Sequence, residues 1–258
     1  MNKSDISPNV WIGDESFLFD SSELETVSPD LYNPGYFSMF DVMVHLGSQG
    51  HIDLKYEFEP SMNTHIINSI NGEKNWWYFA FYHEGSPEQN AYRMDHYLWK
   101  EGATLRLYKA DPSFLETIYH LFREEVKRRE ENNGKLILNK IIIRGANLEK
   151  AFEDVEVISF NMMKDIYREG TTTVLDMLMT LKEQNRIDCD IKWFKRYGKA
   201  IINDYWLVSL DGDKFAGRVG WAYEVGSFKV WRGLHRPHIP IGCRVLISPD
   251  YVEFFWHP

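Results

Sequence analysis

Apolar residues recur at helical spacing in two places along this chain. Met39, Val42, Met43 and Leu46 form one stripe, and Val174, Met177, Leu178 and Leu181 form another. A period of about 3.6 residues predicts an amphipathic helix at each place. Ser38 and Thr173 precede the stripes. A hydroxyl there suits an N-cap, because it accepts a backbone N–H that no helical carbonyl reaches.

The match extends beyond the stripes. "GYFSMFDVMVHLGSQGHID" (35–53) aligns without a gap on "GTTTVLDMLMTLKEQNRID" (170–188), at an offset of 135. Six positions are identical: Gly35/Gly170, Asp41/Asp176, Leu46/Leu181, Gln49/Gln184, Ile52/Ile187 and Asp53/Asp188. Self-similarity at a fixed offset is the mark of a repeated unit. Downstream, "HIINSING" (65–72) lies beside "YWLVSLDG" (205–212). Each reads as a strand closing on Asn-Gly or Asp-Gly, where glycine tolerates a positive φ. "WWYFAFY" (76–82) and "WAYEVGS" (221–227) pair Trp76 with Trp221 and Tyr78 with Tyr223 in aromatic, strand-like runs. "YRMDHYLWKEG" (92–102) and "WRGLHRPHIPIG" (231–242) then pair Arg93 with Arg232, His96 with His235 and Gly102 with Gly242. Finally "TLRLY" (104–108) lies beside "RVLIS" (244–248).

In the second copy two strand-like runs, 135–145 and 155–163, precede the helix; in the first copy 10–20 takes the leading place. Strands, one helix and further strands predict a sheet gripping a helix, within the α+β class. The predicted organisation is a tandem duplication of a β-grasp-like unit: residues 1–110, a connecting helix over 111–134, and residues 135–258. Asp111 or Ser113 can cap the connecting helix, with Pro112 in its first turn and Glu116 completing a capping box with Ser113. Phe114, Leu115, Ile118, Leu121, Phe122 and Val126 give it an apolar face. It is therefore expected to pack against the units.

The motifs "TTTVLDML", "WAYEV" and the late Gly242 resemble the β-grasp family typified by the C-terminal domain of transcobalamin. The first copy carries the weaker "SMFDVM", "WWYFAF" and Gly102. Members often have Asp after the late glycine, where Cys243 and Ala103 stand here. In transcobalamin this domain covers one face of a bound corrinoid. The resemblance implies a module that binds a soluble ligand more readily than an enzyme, and it does not carry cobalamin binding over.

Composition narrows the classes. A net charge of −9 argues against a phosphate backbone as the main partner, since such binding rests on Lys and Arg. Aromatics reach 15% with nine Trp, enough large side chains to build a core or a ligand wall. The two cysteines, Cys189 and Cys243, form no CxxC pair, so neither a disulfide framework nor a cysteine zinc site is expected. No apolar run reaches about eighteen residues, and the N-terminus has no signal-like apolar stretch. No membrane partner and a cytoplasmic location are the expectations.

Candidate chemistry centres on the paired Arg and His. A guanidinium offers a planar fork of donors suited to carboxylate or phosphate. Imidazole can exchange a proton or ligate a metal. Arg93, His96, Arg232 and His235 are thus candidate ligand-binding residues, with Trp76 and Trp221 as a stacking wall. "HRPH" makes His235 and His238 candidate metal ligands, with His83 and His257 as unassigned additions. The competing role for these Arg and His residues is to tie a loop to the sheet. The second stretch has more convergent donors and is the expected ligand or metal site, the first being mainly structural. Asp41 and Asp176 are expected to make local hydrogen bonds, and Asp53 and Asp188 to shape turns. No Gly-rich phosphate loop, GxSxG or HExxH occurs. The leading expectation is binding of a small soluble molecule, anionic or cofactor-sized, with no particular cofactor specified. The alternatives are a metal-dependent enzyme at 235–238 and an assembly protein that uses exposed aromatics.

Overall fold

The structure, a computed structural model, describes residues 7–20, 24–82, 91–197, 200–216, 220–227 and 239–257. The first half runs β1 (Val10–Ile12), β2 (Glu15–Phe17), α1 (Met39–Ser48), β3 (Leu54–Glu59), β4 (Thr64–Ile70), β5 (Trp76–Phe81) and β6 (Thr104–Lys109). The long helix α2 (Pro112–Glu131) follows. The second half runs β7 (Ile137–Arg144), β8 (Glu149–Glu156), α3 (Val174–Glu183), β9 (Cys189–Tyr197), β10 (Ala200–Leu210), β11 (Asp213–Lys214), β12 (Gly220–Gly226) and β13 (Tyr251–His257).

The fold is α+β, with mixed sheets and three α-helices among the described residues. One sheet has the order β2-β1-β6-β5 and another the order β12-β13-β7-β8. Read in the same sense, these two orders match. In each sheet the first and last strands of the half lie side by side and parallel, flanked by antiparallel neighbours. A parallel pair needs a crossover connection, and the helix of each half lies within it. Met39, Val42, Met43 and Leu46 are buried in one core cluster with Val10, Ile12, Leu105 and Leu107. Val174, Met177, Leu178 and Leu181 share the other with Ile141, Ile143, Val252 and Phe254.

The helix starts follow the expected chemistry. The Ser38 hydroxyl accepts from the Asp41 N–H (3.1 Å), and the Asp41 carboxylate accepts from the Ser38 N–H (2.7 Å). Asp176 likewise accepts from the Thr173 N–H (2.7 Å). Each carboxylate also catches the preceding segment, Asp41 through the Val27 N–H (2.7 Å) and Asp176 through the Phe160 N–H (2.8 Å). The turns match as well. Asn71-Gly72 and Asp211-Gly212 have φ of 53°, 80°, 47° and 96°, the left-handed region that the Asn-Gly and Asp-Gly pairs favour. The Asn71 N–H donates to the Asp53 carbonyl (2.9 Å) and the Asp211 N–H to the Asp188 carbonyl (2.7 Å). Asp53 and Asp188 thus shape turns through their backbone.

Two strands lie elsewhere than expected. The chain turns back at once after β7, with the Gly145 N–H donating to the Leu148 carbonyl (2.8 Å). β8 is therefore 149–156, and residues 158–160 leave the sheet to bond α3. The last strand of the second half is 251–257, not 244–248. Residues 244–246 instead bond the entry to α3: the Val174 N–H donates to the Arg244 carbonyl (3.0 Å) and the Leu246 N–H to the Thr172 carbonyl (2.9 Å). In the first half the Met39 N–H donates to the Tyr97 carbonyl (2.7 Å) and the Trp99 N–H to the Phe37 carbonyl (2.9 Å). Tyr97 and Arg244 are therefore equivalent, which places residues 239–243 out of the register that the Arg and His pattern implied.

α2 is capped by Asp111, which accepts from the Ser113 N–H (2.8 Å). Glu116 pairs with Arg123 and completes no capping box. The helix buries Leu115, Ile118, Leu121 and Phe122. Its last turns reach the second half, where Arg128 and Arg129 donate to the Ser248 and Ile247 carbonyls, both at 2.9 Å.

The halves meet in a reciprocal seam. The Asn33 N–H donates to the Ile166 carbonyl and the Arg168 N–H to the Leu31 carbonyl, each at 2.9 Å. Each donor and each acceptor has its counterpart at the 135 offset, so this contact is locally two-fold symmetric. Tyr32 and Tyr167, also at that offset, pack across it at a tilt, with centroids 5.5 Å apart. Met163, Ile166, Tyr167, Ile239, Cys243 and Val245 of the second half belong to the first core cluster, so the two halves share one core.

Candidate functional site

Arg93 opens the loop that precedes β6, and its side chain is buried. Its Nε donates to the Met62 carbonyl (2.8 Å) and Nη2 to the Phe122 carbonyl (3.2 Å), while Nη1 pairs with Glu125. The guanidinium lies 4.2 Å above the Phe122 ring. It ties this loop to α2 and to the β3–β4 turn. His96 is buried too, and its Nδ1 has no hydrogen-bond partner. Burial brings its pKa down to about 4, so the ring is neutral at neutral pH. Asp95 beside it accepts from the Thr64 hydroxyl (2.5 Å), the His65 N–H (2.7 Å) and His65 Nδ1 (2.9 Å). Burial alone would raise this carboxyl; His96 and the bonds from His65 and Thr64 bring it below the ordinary value. Arg93, expected as a candidate ligand contact, ties the loop down, and His96, expected as another, is enclosed beneath it.

Arg232, His235, His238 and His83 lie outside the described residues. In the register set by Tyr97 and Arg244, Pro240 stands at the place of Arg93 and Cys243 at that of His96. That register aligns Asp95 with Gly242, and counting back from the Asn71-Gly72 and Asp211-Gly212 turns aligns Thr64 with Asp204 on the neighbouring strand. Asn63 and Asn203, just before these strand residues, share a left-handed φ of 49° and 44°. The buried carboxylate sits on the loop in the first half and on the strand in the second. Asp204 is fully buried, and its Oδ1 accepts from the Tyr205 N–H (2.5 Å) and the Gly242 N–H (3.2 Å). A Cβ on Gly242 would stand 2.3 Å from that oxygen, so glycine there makes room for the carboxylate. Lys100, from the first half, brings Nζ within 3.3 Å of Asp204 Oδ2 and donates to the Ile202 carbonyl (2.9 Å). Gly242 stood out in the sequence, but its meeting with Asp204 and Lys100 did not, because that depends on which strand faces which loop.

Trp76 leads to a different place. It lines an open cleft of about 690 Å³ beside the β1–β2 turn and the β5–β6 pair, with Trp11, Phe79, Arg106, Tyr108 and Lys109. Arg106 lies over the Trp11 ring at 4.5 Å, and no ion pair engages it among the described residues. Lys109 lies over Trp76 at 4.0 Å and pairs with Glu73 (2.8 Å). Phe79 and Tyr108 stack with centroids 4.3 Å apart and planes 16° apart. The Tyr108 hydroxyl is buried without a partner, and burial pushes its pKa up to about 12. Strand alternation was the missed signal. Leu105 and Leu107 face the helix, so Arg106 and Tyr108 face away from it, opposite Phe79 and Trp77 in register.

Trp221 packs within the second half. Its indole N–H donates to the Asp213 carbonyl (3.2 Å), and its ring meets Trp256 edge-on at 5.3 Å. Among the described residues, no group of three or more His, Cys, Asp or Glu side chains is placed to hold a metal. No described helix is long and apolar enough to cross a membrane. No protein-family model, curated protein or solved structure significantly matches this chain.

Proposed function

We propose that this chain is a small-molecule-binding protein built from two tandem β-grasp-like units, with its ligand in the cleft of the first. The matching strand orders, each with a parallel first and last strand crossed by one helix, support the architecture. For the ligand, a concave site with aromatic walls and a few polar groups is the usual makeup of a small-molecule pocket, and about 690 Å³ is an ordinary volume for one. The ligand in this reading is a flat, ring-bearing anion. Its ring stacks beside Phe79 and Trp11, its charge meets Arg106, and one acceptor or donor reaches the Tyr108 hydroxyl. That hydroxyl is the observation that carries the reading. A buried polar atom without a partner costs about 1–3 kcal/mol, and a ligand that pairs with it removes the cost.

The test uses 1-anilinonaphthalene-8-sulfonate, a flat aromatic anion, titrated into the native protein. Saturable binding at one site is expected, weakened about tenfold by Arg106→Ala, the loss of one charge-assisted contact. Trp11→Ala is expected to weaken it too, with far-UV circular dichroism unchanged in both variants. Binding that ignores both substitutions sinks this assignment. The metal-dependent alternative rests on His235 and His238, outside the described residues, and no described feature favours it.

A further inference from the structure

Lys100 and Asp204 belong to different halves and meet away from solvent. Their side chains are 6% and 0% exposed, with Nζ 3.3 Å from Oδ2. The Tyr82 ring covers the ammonium at 4.9 Å. The buried Cys243 sits beside both groups. An ion pair in such a place loses much of its hydration, and its attraction only partly restores what is lost. Two further details give the pair a chemical direction. Oδ1, the oxygen turned away from Lys100, faces two backbone N–H groups, those of Tyr205 and Gly242. That is the arrangement that stabilises an oxyanion on a carbon under attack. Oδ2, the oxygen that would leave, is the one nearest the amine.

We propose that Lys100 and Asp204 condense to an intramolecular isopeptide bond that joins the two halves covalently. In the first step Nζ passes a proton to Oδ2 along their contact, leaving a neutral amine and a neutral acid. Burial holds Asp204 above the usual carboxylate range, which favours the acid form. The Cys243 and Asp204 groups hold Lys100 up despite its burial, so this transfer is the slow part. Nζ then attacks Cγ, and the developing charge collects on Oδ1 between its two N–H donors. The Cγ–Oδ2 bond breaks, a second proton moves from nitrogen to the departing oxygen, and one water leaves. Nothing is oxidised or reduced, and no co-reactant enters. Near-contact of amine and acid in a fixed frame replaces the activation that free amines and acids require. A groove of about 620 Å³ between the halves, with Lys100 and Asn203 in its wall, gives the water a way out.

Mass spectrometry of the intact, denatured protein tests this. The expected mass is one water below that of the sequence. Trypsin should fail to cut after Lys100, and a branched peptide should join the Lys100 and Asp204 segments. Asp204→Asn should still close, losing ammonia in place of water, whereas Asp204→Ala and Lys100→Arg should keep their full masses. A wild-type protein of full mass that is cut normally after Lys100 overturns the proposal. So does a water lost at Asp211-Gly212 as a cyclic imide, which leaves Lys100 cleavable. The wild-type measurement decides the matter even if a variant fails to fold.

Discussion

A single imidazole shows how burial turns into a dependence on pH. His96 is held at about 4 by burial, against 6.5 for an unperturbed ring. Between these values the unfolded chain binds a proton that the folded chain refuses. Stability is therefore complete above the unfolded value and falls as pH drops toward 4. The difference corresponds to about 3 kcal/mol. Urea unfolding at neutral pH and near pH 4.5 is expected to show most of that loss in the wild type. His96→Gln, which has nothing to protonate, should lose clearly less over the same range; equal losses would mean that the ring is solvated. The adjacent Asp95 works in the same direction. Its lowered pKa adds stability above the unfolded carboxylate value, and that stability fades as pH falls through the folded one.

Among the elements, α2 depends on one buried cation. Arg93 joins the helix through Glu125 and the Phe122 carbonyl, and joins the β3–β4 turn through Met62. Removing it strands Glu125 and two carbonyls in a largely dry place. Arg93→Ala is expected to cost about 3 kcal/mol in chemical denaturation, with cleft binding unchanged. A loss below about 1 kcal/mol, the range of surface pairs, would show that the helix is held by its apolar face alone. The same helix shows what the sequence could and could not tell. Leu115, Ile118, Leu121 and Phe122 were readable as a face because helical period alone decides it. α1 and α3, their Ser38 and Thr173 caps, the local bonds of Asp41 and Asp176, and the Asn71-Gly72 and Asp211-Gly212 turns were readable for the same reason: each is local chemistry within a few residues. The final strand was not. Residues 104–108 resemble 244–248 in composition, but the bonds of 97–99 and 244–246 to the helix entries fix the register, and those partners lie tens of residues away. The cleft was half-visible: Trp76 was singled out, while Trp11, Arg106 and Tyr108 became neighbours only through β1 pairing with β6.

For the whole molecule, the reciprocal seam joins the two halves that the sheets leave separate. The first core cluster draws side chains from both halves, so neither half can release its share of that core without exposing the other's. Tyr92 reinforces the joint, its hydroxyl accepting from the Val245 N–H (3.0 Å) and donating to the His96 carbonyl (3.1 Å). Such a molecule should unfold as one cooperative body, and the seam offers a direct gauge of it. The Asn33 and Arg168 amides are far apart in sequence, yet each points at a carbonyl of the opposite half, and separation of the halves frees both at once. In deuterated water the two protons should therefore be replaced with the same protection factor, equal to that of the slowest core amides in β6 and β13. Unequal protection at the two sites would mean that one side of the seam opens by itself.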